Sequence, residues 1–292
     1  MKKSTNSFVQ KNKALLVVCD LDGTLLNSEG KVSKFTEQTV KQFIKQGNIF
    51  CIATARPFRS TSLIYDQLNL KSICVNYNGA SLSNPHDQYF SGINYMFSVN
   101  IAQTILNDKK ILNSVIDIVL ENENATFIYK KIKNKELLDK IHNWFHIFNK
   151  KNIIYGDDIK NIQFNPHTIS FVTHISENVN VINRLMSLYE TLSIKNYEID
   201  KEYSIIEIGI QIASKGHALE YLSAFYGIDM SHTIAFGDND NDVELLQKAR
   251  FSFAMLNGSK TSKFAAKFIT TKSNDEDGVA KTLLSFIKST ND

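Results

Sequence analysis

Proline, cysteine and tryptophan are scarce in this 292-residue chain, at three, three and one. With so few prolines, and no Gly/Pro-rich tract or internal repeat, no flexible linker divides it. Cys19, Cys51 and Cys74 each lie in an apolar run without CxxC spacing. An odd set in core-like runs excludes a disulfide framework and points to a reducing cytoplasm. Cys19 neighbours Asp20, which allows a reactive thiol, but a buried cysteine ordinarily behaves as a small hydrophobe. No apolar run approaches the roughly 20 residues that span a bilayer. The opening MKKSTNSFVQKNK carries charge but no apolar h-region, so residues 1–12 read as a frayed tail rather than a signal peptide. A net charge of +3 is too small a basic excess to argue for nucleic acid or an anionic membrane. What is present, 43% apolar and 22% charged residues, is the make-up of a globular protein of one large or two modest domains. Neither composition nor pattern fixes an oligomeric state.

The first part of the chain alternates strands and helices. ALLVVCD (14–20) is a continuous apolar run, as expected of a parallel strand covered on both faces. Ser33 is placed to cap a helix whose inner face holds Val40, Phe43 and Ile44 and which stops at Gly47. NIFCIAT is a second buried strand, TSLIYDQLNL a short helix and SICVNYNGA a third strand with its turn. This βαβαβ order predicts an α/β fold with a doubly wound parallel sheet. The texture returns late, with GHALEYLSAFYG as helix, HTIAFGD as strand and VELLQKA as helix. Between them, polar helices such as KELLDKIHNWFHIFNK mix with alternating strands such as TISFVTHIS. That stretch reads as an α+β module inserted into the parallel-sheet domain, with boundaries at core 13–83, insert 84–203 and core 204–292. His142 and His146 are four apart on a predicted helix, a spacing that suits a metal pair. With no third ligand nearby, a solvated helix face is the preferred reading.

Four polar clusters share one placement, each following an apolar strand: Asp20/Asp22, Thr54-Ala55-Arg56, Asn76/Asn78 and GDNDND (237–242). Ligands of open α/β sheets bind outside the carboxyl ends of the strands, so these clusters are expected to converge. Residues i and i+2 of a strand point the same way, which would turn Asp20 and Asp22 toward one cleft, with Gly23 permitting a sharp exit. One carboxylate can attack while its neighbour handles protons; the plain alternative is a turn with two solvated acids. In GDNDND the alternating acids suggest a hard divalent cation. An EF-hand loop starting at Asp238 would need Gly and Glu where the chain has Val243 and Ala249, so Mg²⁺ suits the pattern better than Ca²⁺. The same acids also serve as a cap for the following helix. Thr54 offers a hydroxyl to an anion, and Lys215 stands just before a predicted helix.

Taken together these residues resemble the haloacid dehalogenase superfamily, within it the Cof-type, sugar-phosphatase-like branch. DLDGT (20–24), ATAR (53–56), SKG (214–216) and GDNDND match the four motifs in order, with Ala55 where glycine is usual. YNGA, FAMLNGS and SNDEDGVA look like branch signatures. The resemblance implies a Rossmann-like core with an inserted α+β cap of the C2 type. It implies a phosphatase that hydrolyses small phosphorylated metabolites, sugar phosphates first among them. Asp20 would attack phosphorus to form an aspartyl-phosphate, and Asp22 would protonate the leaving alcohol and later deprotonate water. Mg²⁺ would be held by Asp20, the Asp22 backbone carbonyl, Asp238 and Asp242. Phosphoryl contacts would come from Thr54, Lys215 and Asn241, with Leu21 and Ala55 in the same binding set. A carboxylate about 4 Å from one negative charge costs about 4 kcal/mol at an effective dielectric of 20, which is why cations must accompany Asp20. A phosphomutase shares these motifs, and a non-enzymatic phospho-receiver or binding protein is the reading from another class; Asp22 and the large insert weigh against the latter. The partner implied is a small phosphate ester, not nucleic acid or membrane.

Overall fold

The computed structural model describes residues 14–129, 132–145, 153–156 and 162–289. The expected N-terminal tail and His146 lie outside them. In chain order the first strands are β1 (Leu16–Cys19), β2 (Ile49–Ile52), β3 (Cys74–Asn76), β4 (Ser81–Ser83) and β5 (Ile93–Asn94). Then come β6 (Val115–Glu121), β7 (Thr126–Ile128), β8 (Ile153–Tyr155), β9 (Thr168–His174), β10 (Leu192–Glu198) and β11 (Tyr203–Ile210). The last are β12 (Thr233–Gly237), β13 (Phe251–Ala254) and β14 (Phe268–Ile269). Two compact units form. One holds the described residues up to Ile52, Leu68–Ser72 and those from Leu219 onward; the other holds Ala53–Gln67 and Ile73–Ala218.

The first unit is built on a parallel sheet ordered β14-β13-β12-β1-β2. Every residue of β1 is fully buried, which explains why its sequence is apolar throughout rather than alternating. Ser33 caps the helix Lys34–Lys45, its hydroxyl accepting from the Thr36 N–H at 3.0 Å. Val40 and Phe43 on that helix are buried, and Gly47 at φ +87° ends it. The chain leaves β1 for β2 on one side, while β12 pairs with β1 on the other. The strand order therefore reverses beside β1, and a crevice opens at the carboxyl ends of β1 and β12.

The expected third parallel strand is different. β3 pairs antiparallel with β4 in a three-stranded sheet, and only an isolated parallel bridge, Ala53 with Val75, continues the expected pairing. The cause is the turn that follows. Tyr77 and Asn78 both take positive φ, +49° and +55°, and this tight reversal sends the chain back along β3.

The second unit's six-stranded sheet runs β10-β11-β9-β6-β7-β8, antiparallel except where β8 joins β7. Strand alternation gives it two unlike faces. Ile118, Leu120, Ile169, Phe171, Ile206 and Ile208 pack with residues of the helices Val99–Leu106, Lys109–Ser114 and Asn178–Leu188. Each such side chain contributes about 1.5–3 kcal/mol by leaving water. The opposite face is apolar only in part. Val119, Ile128, Val172 and Ile205 pack against Leu137 and Ile141 of the helix Lys135–Trp144, while Glu121, Thr168 and Ser170 are buried polar residues of the same strands. Segments 53–67 and 73–79 belong to this unit through polar contacts. Arg59 reaches Glu121 at 2.7 Å, and Asn78 reaches Glu207 at 3.1 Å. No helix among the described residues is long and apolar enough to cross a membrane.

Candidate active site

In the first unit the chain leaves β1 with Asp20, whose N–H donates to the Phe236 carbonyl of β12 at 3.1 Å. Asp20 is 5% exposed. Residues 21–25 then form a turn in which Asp22 is extended (φ −75°, ψ 125°) and Gly23 is left-handed. Asp22 is exposed. Leu21 is buried. Gly23, at φ +73°, is required twice over: its backbone is left-handed, and a Cβ there would lie 2.5 Å from the Asp238 carboxylate. Thr24 donates its hydroxyl to that carboxylate at 2.9 Å, and Asn257 donates to the Gly23 carbonyl at 2.8 Å.

Asp238 follows β12, and Gly237 makes room for Asp242, against which any Cβ would collide. Asp242 is fully buried, accepting from the N–H groups of Asp238 at 3.0 Å and Asn239 at 3.2 Å. Asn239 and Asp242 form a capping box, so the capping role and a ligand role coexist in one loop. Asn241 lies in the same turn. Asp20, Asp238 and Asp242 each present an oxygen within 4.8 Å of the others. Three hard oxygen donors converging this way fit Mg²⁺, which takes few carboxylates and keeps waters.

In the second unit Thr54 is 1% exposed, its N–H bonded to the Val75 carbonyl at 2.9 Å and its Oγ1 accepting from the Arg56 N–H at 3.2 Å. Ala55 is exposed and is not among the residues with positive φ, so alanine is unstrained where the family motif has glycine. Lys215 opens the helix Lys215–Tyr226 and is only 1% exposed, a depth at which an ammonium needs polar company. Gly79 brings this loop against Ser214; a Cβ would strike the Ser214 backbone.

A buried polar network was not foreseen. Arg59 binds Glu121 and Thr126 at 2.7 Å each, the Asn122 carbonyl at 2.6 Å and Tyr77 Oη at 2.9 Å. Burial pushes the Glu121 carboxyl up to about 7 against the pull of Arg59. Burial likewise raises Glu207 and lowers His167 to about 4. The sequence signal was faint, a lone Arg in a short helix and single acids in alternating strands. Of the stretch 153–167, rich in aromatic and polar residues, 157–161 lie outside the described residues.

A parallel sheet with acids at the carboxyl ends of its central strands and a second α/β unit inserted in its chain define a Rossmann-like hydrolase core with a cap domain. The family model for haloacid dehalogenase-like hydrolase matches residues 17–283. The chain belongs to that family, in its Cof-type branch. It is 30% identical to the 5-amino-6-(5-phospho-D-ribitylamino)uracil phosphatase YitU of Bacillus subtilis, over 94% of this chain and 97% of the relative. A haloacid dehalogenase-like hydrolase from Bacteroides thetaiotaomicron shares the fold at a TM-score of 0.78 and 22% identity, covering 94% of this chain and 100% of that one. The subclass IIB sugar phosphatase BT4131 does so at a TM-score of 0.75 and 19% identity, covering 94% of this chain and 99% of that one.

Proposed function

We propose that the chain is a Mg²⁺-dependent phosphatase acting on small phosphorylated metabolites, with sugar and polyol phosphates as the leading class. The observation that carries this is the convergence of Asp20, Asp238 and Asp242 at the carboxyl ends of β1 and β12. The names of its relatives point the same way, one being a phosphatase of a ribityl phosphate and another a sugar phosphatase. Asp20, Asp238, Asp242 and the Asp22 carbonyl would hold Mg²⁺, which would neutralise charge at the reacting carboxylate and phosphate.

In this reading an Asp20 oxygen forms a bond to phosphorus as the phosphorus–alkoxide bond breaks, and Asp22 gives its proton to the departing oxygen. The exposed position of Asp22 suits a group that must reach the leaving alcohol and then water. In the second step Asp22 takes a proton from water, the water oxygen attacks phosphorus, and Asp20 is released with phosphate. Thr54, Lys215 and Asn241 are assigned to the phosphoryl oxygens, with Leu21 and Ala55 in the same binding set. The domain boundaries at 84 and 203 go with this reading, as does a cytoplasmic location.

The test is phosphate release from a panel of phosphate esters, with and without Mg²⁺, for the parent and Asp20→Asn. Mg²⁺-dependent turnover that disappears in the variant is expected. Isomerised sugar phosphate without free phosphate would replace the phosphatase reading with a mutase.

A further inference from the structure

The second unit encloses a small polar pocket whose walls include Tyr77, Asn78, His167, Thr168, Lys195 and Glu207. His167 and Thr168 are 1% and 4% exposed, yet His167 Nδ1 and Thr168 Oγ1 have no hydrogen-bond partner within the protein. An unpartnered buried polar atom costs about 1–3 kcal/mol, and two around one pocket mark a place built to receive something.

The chemistry of the walls says what. His167 Nε2 lies 2.9 Å from Asn94 Oδ1. The imidazole stays neutral down to about pH 4 because it is buried. Facing an amide oxygen, Nε2 carries the hydrogen, and Nδ1 is left as an acceptor. Stacking on Tyr77, with ring centres 4.7 Å apart and planes 6° from parallel, fixes the ring. Glu207 is a second acceptor, held by Asn78 Nδ2 at 3.1 Å and directly across the strand pair from Lys195. The enclosed space has room for about one water-sized group. A phosphate is too large and would be repelled by Glu207, and a whole sugar ring does not fit. A single O–H fits, since it donates to one acceptor and accepts from the Thr168 hydroxyl.

The pocket also adjoins the residues assigned above to the phosphoryl group. Asn78 donates its backbone N–H to the Thr54 carbonyl at 2.9 Å while its side chain holds Glu207. Gly79, next along, packs on Ser214, the neighbour of Lys215.

We infer that this pocket receives one hydroxyl of the ester's organic part, so that Glu207, His167 and Thr168 select polyhydroxylated phosphate esters over plain alkyl ones. The inference rests on the phosphatase reading and names the feature of the ester that is selected.

The experiment compares ribitol 5-phosphate with pentyl phosphate, which has the same carbon count but no free hydroxyls. Turnover gives the kcat/KM ratio of the two esters in the parent, Glu207→Gln and Thr168→Val. Calorimetry gives the ratio of their dissociation constants in Asp20→Asn, with and without Glu207→Gln added. The polyol is expected to be preferred at least about tenfold, and Glu207→Gln to lower that ratio about ten- to a hundredfold, the worth of a hydrogen bond to a charged acceptor. Thr168→Val should lower it less. Turnover of both esters with no preference, or a preference untouched by both substitutions, would mean the pocket holds only a resident water and would overturn the inference. If neither ester releases phosphate, the phosphatase reading fails on its own, and the calorimetric ratio alone decides the pocket.

Discussion

In the first unit Asp20, Asp238 and Asp242 are drawn toward one point at the edge of a parallel sheet. In the second, Glu121 and Glu207 lie on one face of a mostly antiparallel sheet, and each faces a donor from its own unit, Arg59 for one and Asn78 for the other. Both regions bury carboxylates, at a cost that must be met by partners. The acids of the first region converge on one another, a repulsion that a bound cation relieves. Those of the second each face a protein donor, and Glu121, enclosed by Arg59 and Thr126, is part of the fold's stability.

The most forceful way to break this comparison is to neutralise one member of each set. Asp20→Asn should lower ester turnover about a thousandfold or more, as loss of a nucleophile does. It should leave the melting temperature in Mg²⁺-free buffer unchanged or higher, because a repulsion is removed. The rise in melting temperature on adding Mg²⁺, which mass action provides to a site that binds only the folded state, should shrink. A large loss of stability without Mg²⁺ would show that Asp20 is a structural partner like Glu121.

Glu121→Ala should do the reverse. It leaves Arg59, whose side chain is 18% exposed, without its carboxylate, and breaking a buried pair costs about 3–5 kcal/mol. Denaturant melts would read this as a lower midpoint. A change below about 1 kcal/mol would place the pair with ordinary surface bridges.

The pH profile sharpens the contrast further. Glu121 titrates near 7 in the folded chain against an ordinary 4.5, so the folded state holds the extra proton and stability falls as pH rises from 4.5 to 7. His167 titrates near 4 against an ordinary 6.5, so the stability it contributes is complete above 6.5 and is lost as pH falls toward 4. Between about 4.5 and 6.5 the two slopes oppose each other, each near 1.4 kcal/mol per pH unit. Glu121→Gln should therefore become steadily more stable relative to the parent as pH rises through that window. His167→Gln should show the opposite slope. Parallel profiles in the two variants would remove both groups from the account.

Much of the first region could be read from the sequence because its logic is local. A buried strand ending in Asp20, a glycine at Gly23 and the loop Gly237–Asp242 are short motifs whose neighbours in space are also neighbours across one strand pair. The failure was local too. Tyr77 takes a left-handed conformation that nothing in a tyrosine announces, and β3 pairs antiparallel with β4. The second region was illegible for another reason. Glu207 in YSIIEIGI looks like the solvent side of an amphipathic strand, and Arg59 looks like a surface residue of a short helix. Their partners Asn78 and Glu121 are 129 and 62 residues away, and only the tertiary fold shows that these positions are buried.

The smallest expected effect concerns Ala55, the one departure from the family motif in the first-unit and second-unit site residues. If that position required a left-handed backbone, alanine would be strained and glycine would repair it. Ala55 does not have a positive φ, so the added methyl meets no backbone penalty. Glycine there would instead loosen the loop in the unfolded and free states by about 0.4–1 kcal/mol. Ala55→Gly should thus change inorganic phosphate affinity by no more than about fivefold, the equivalent of the upper end of that range, and lower the melting temperature slightly. A tenfold gain in phosphate affinity would show that the loop changes conformation when it binds an anion, and that the alanine restrains the change.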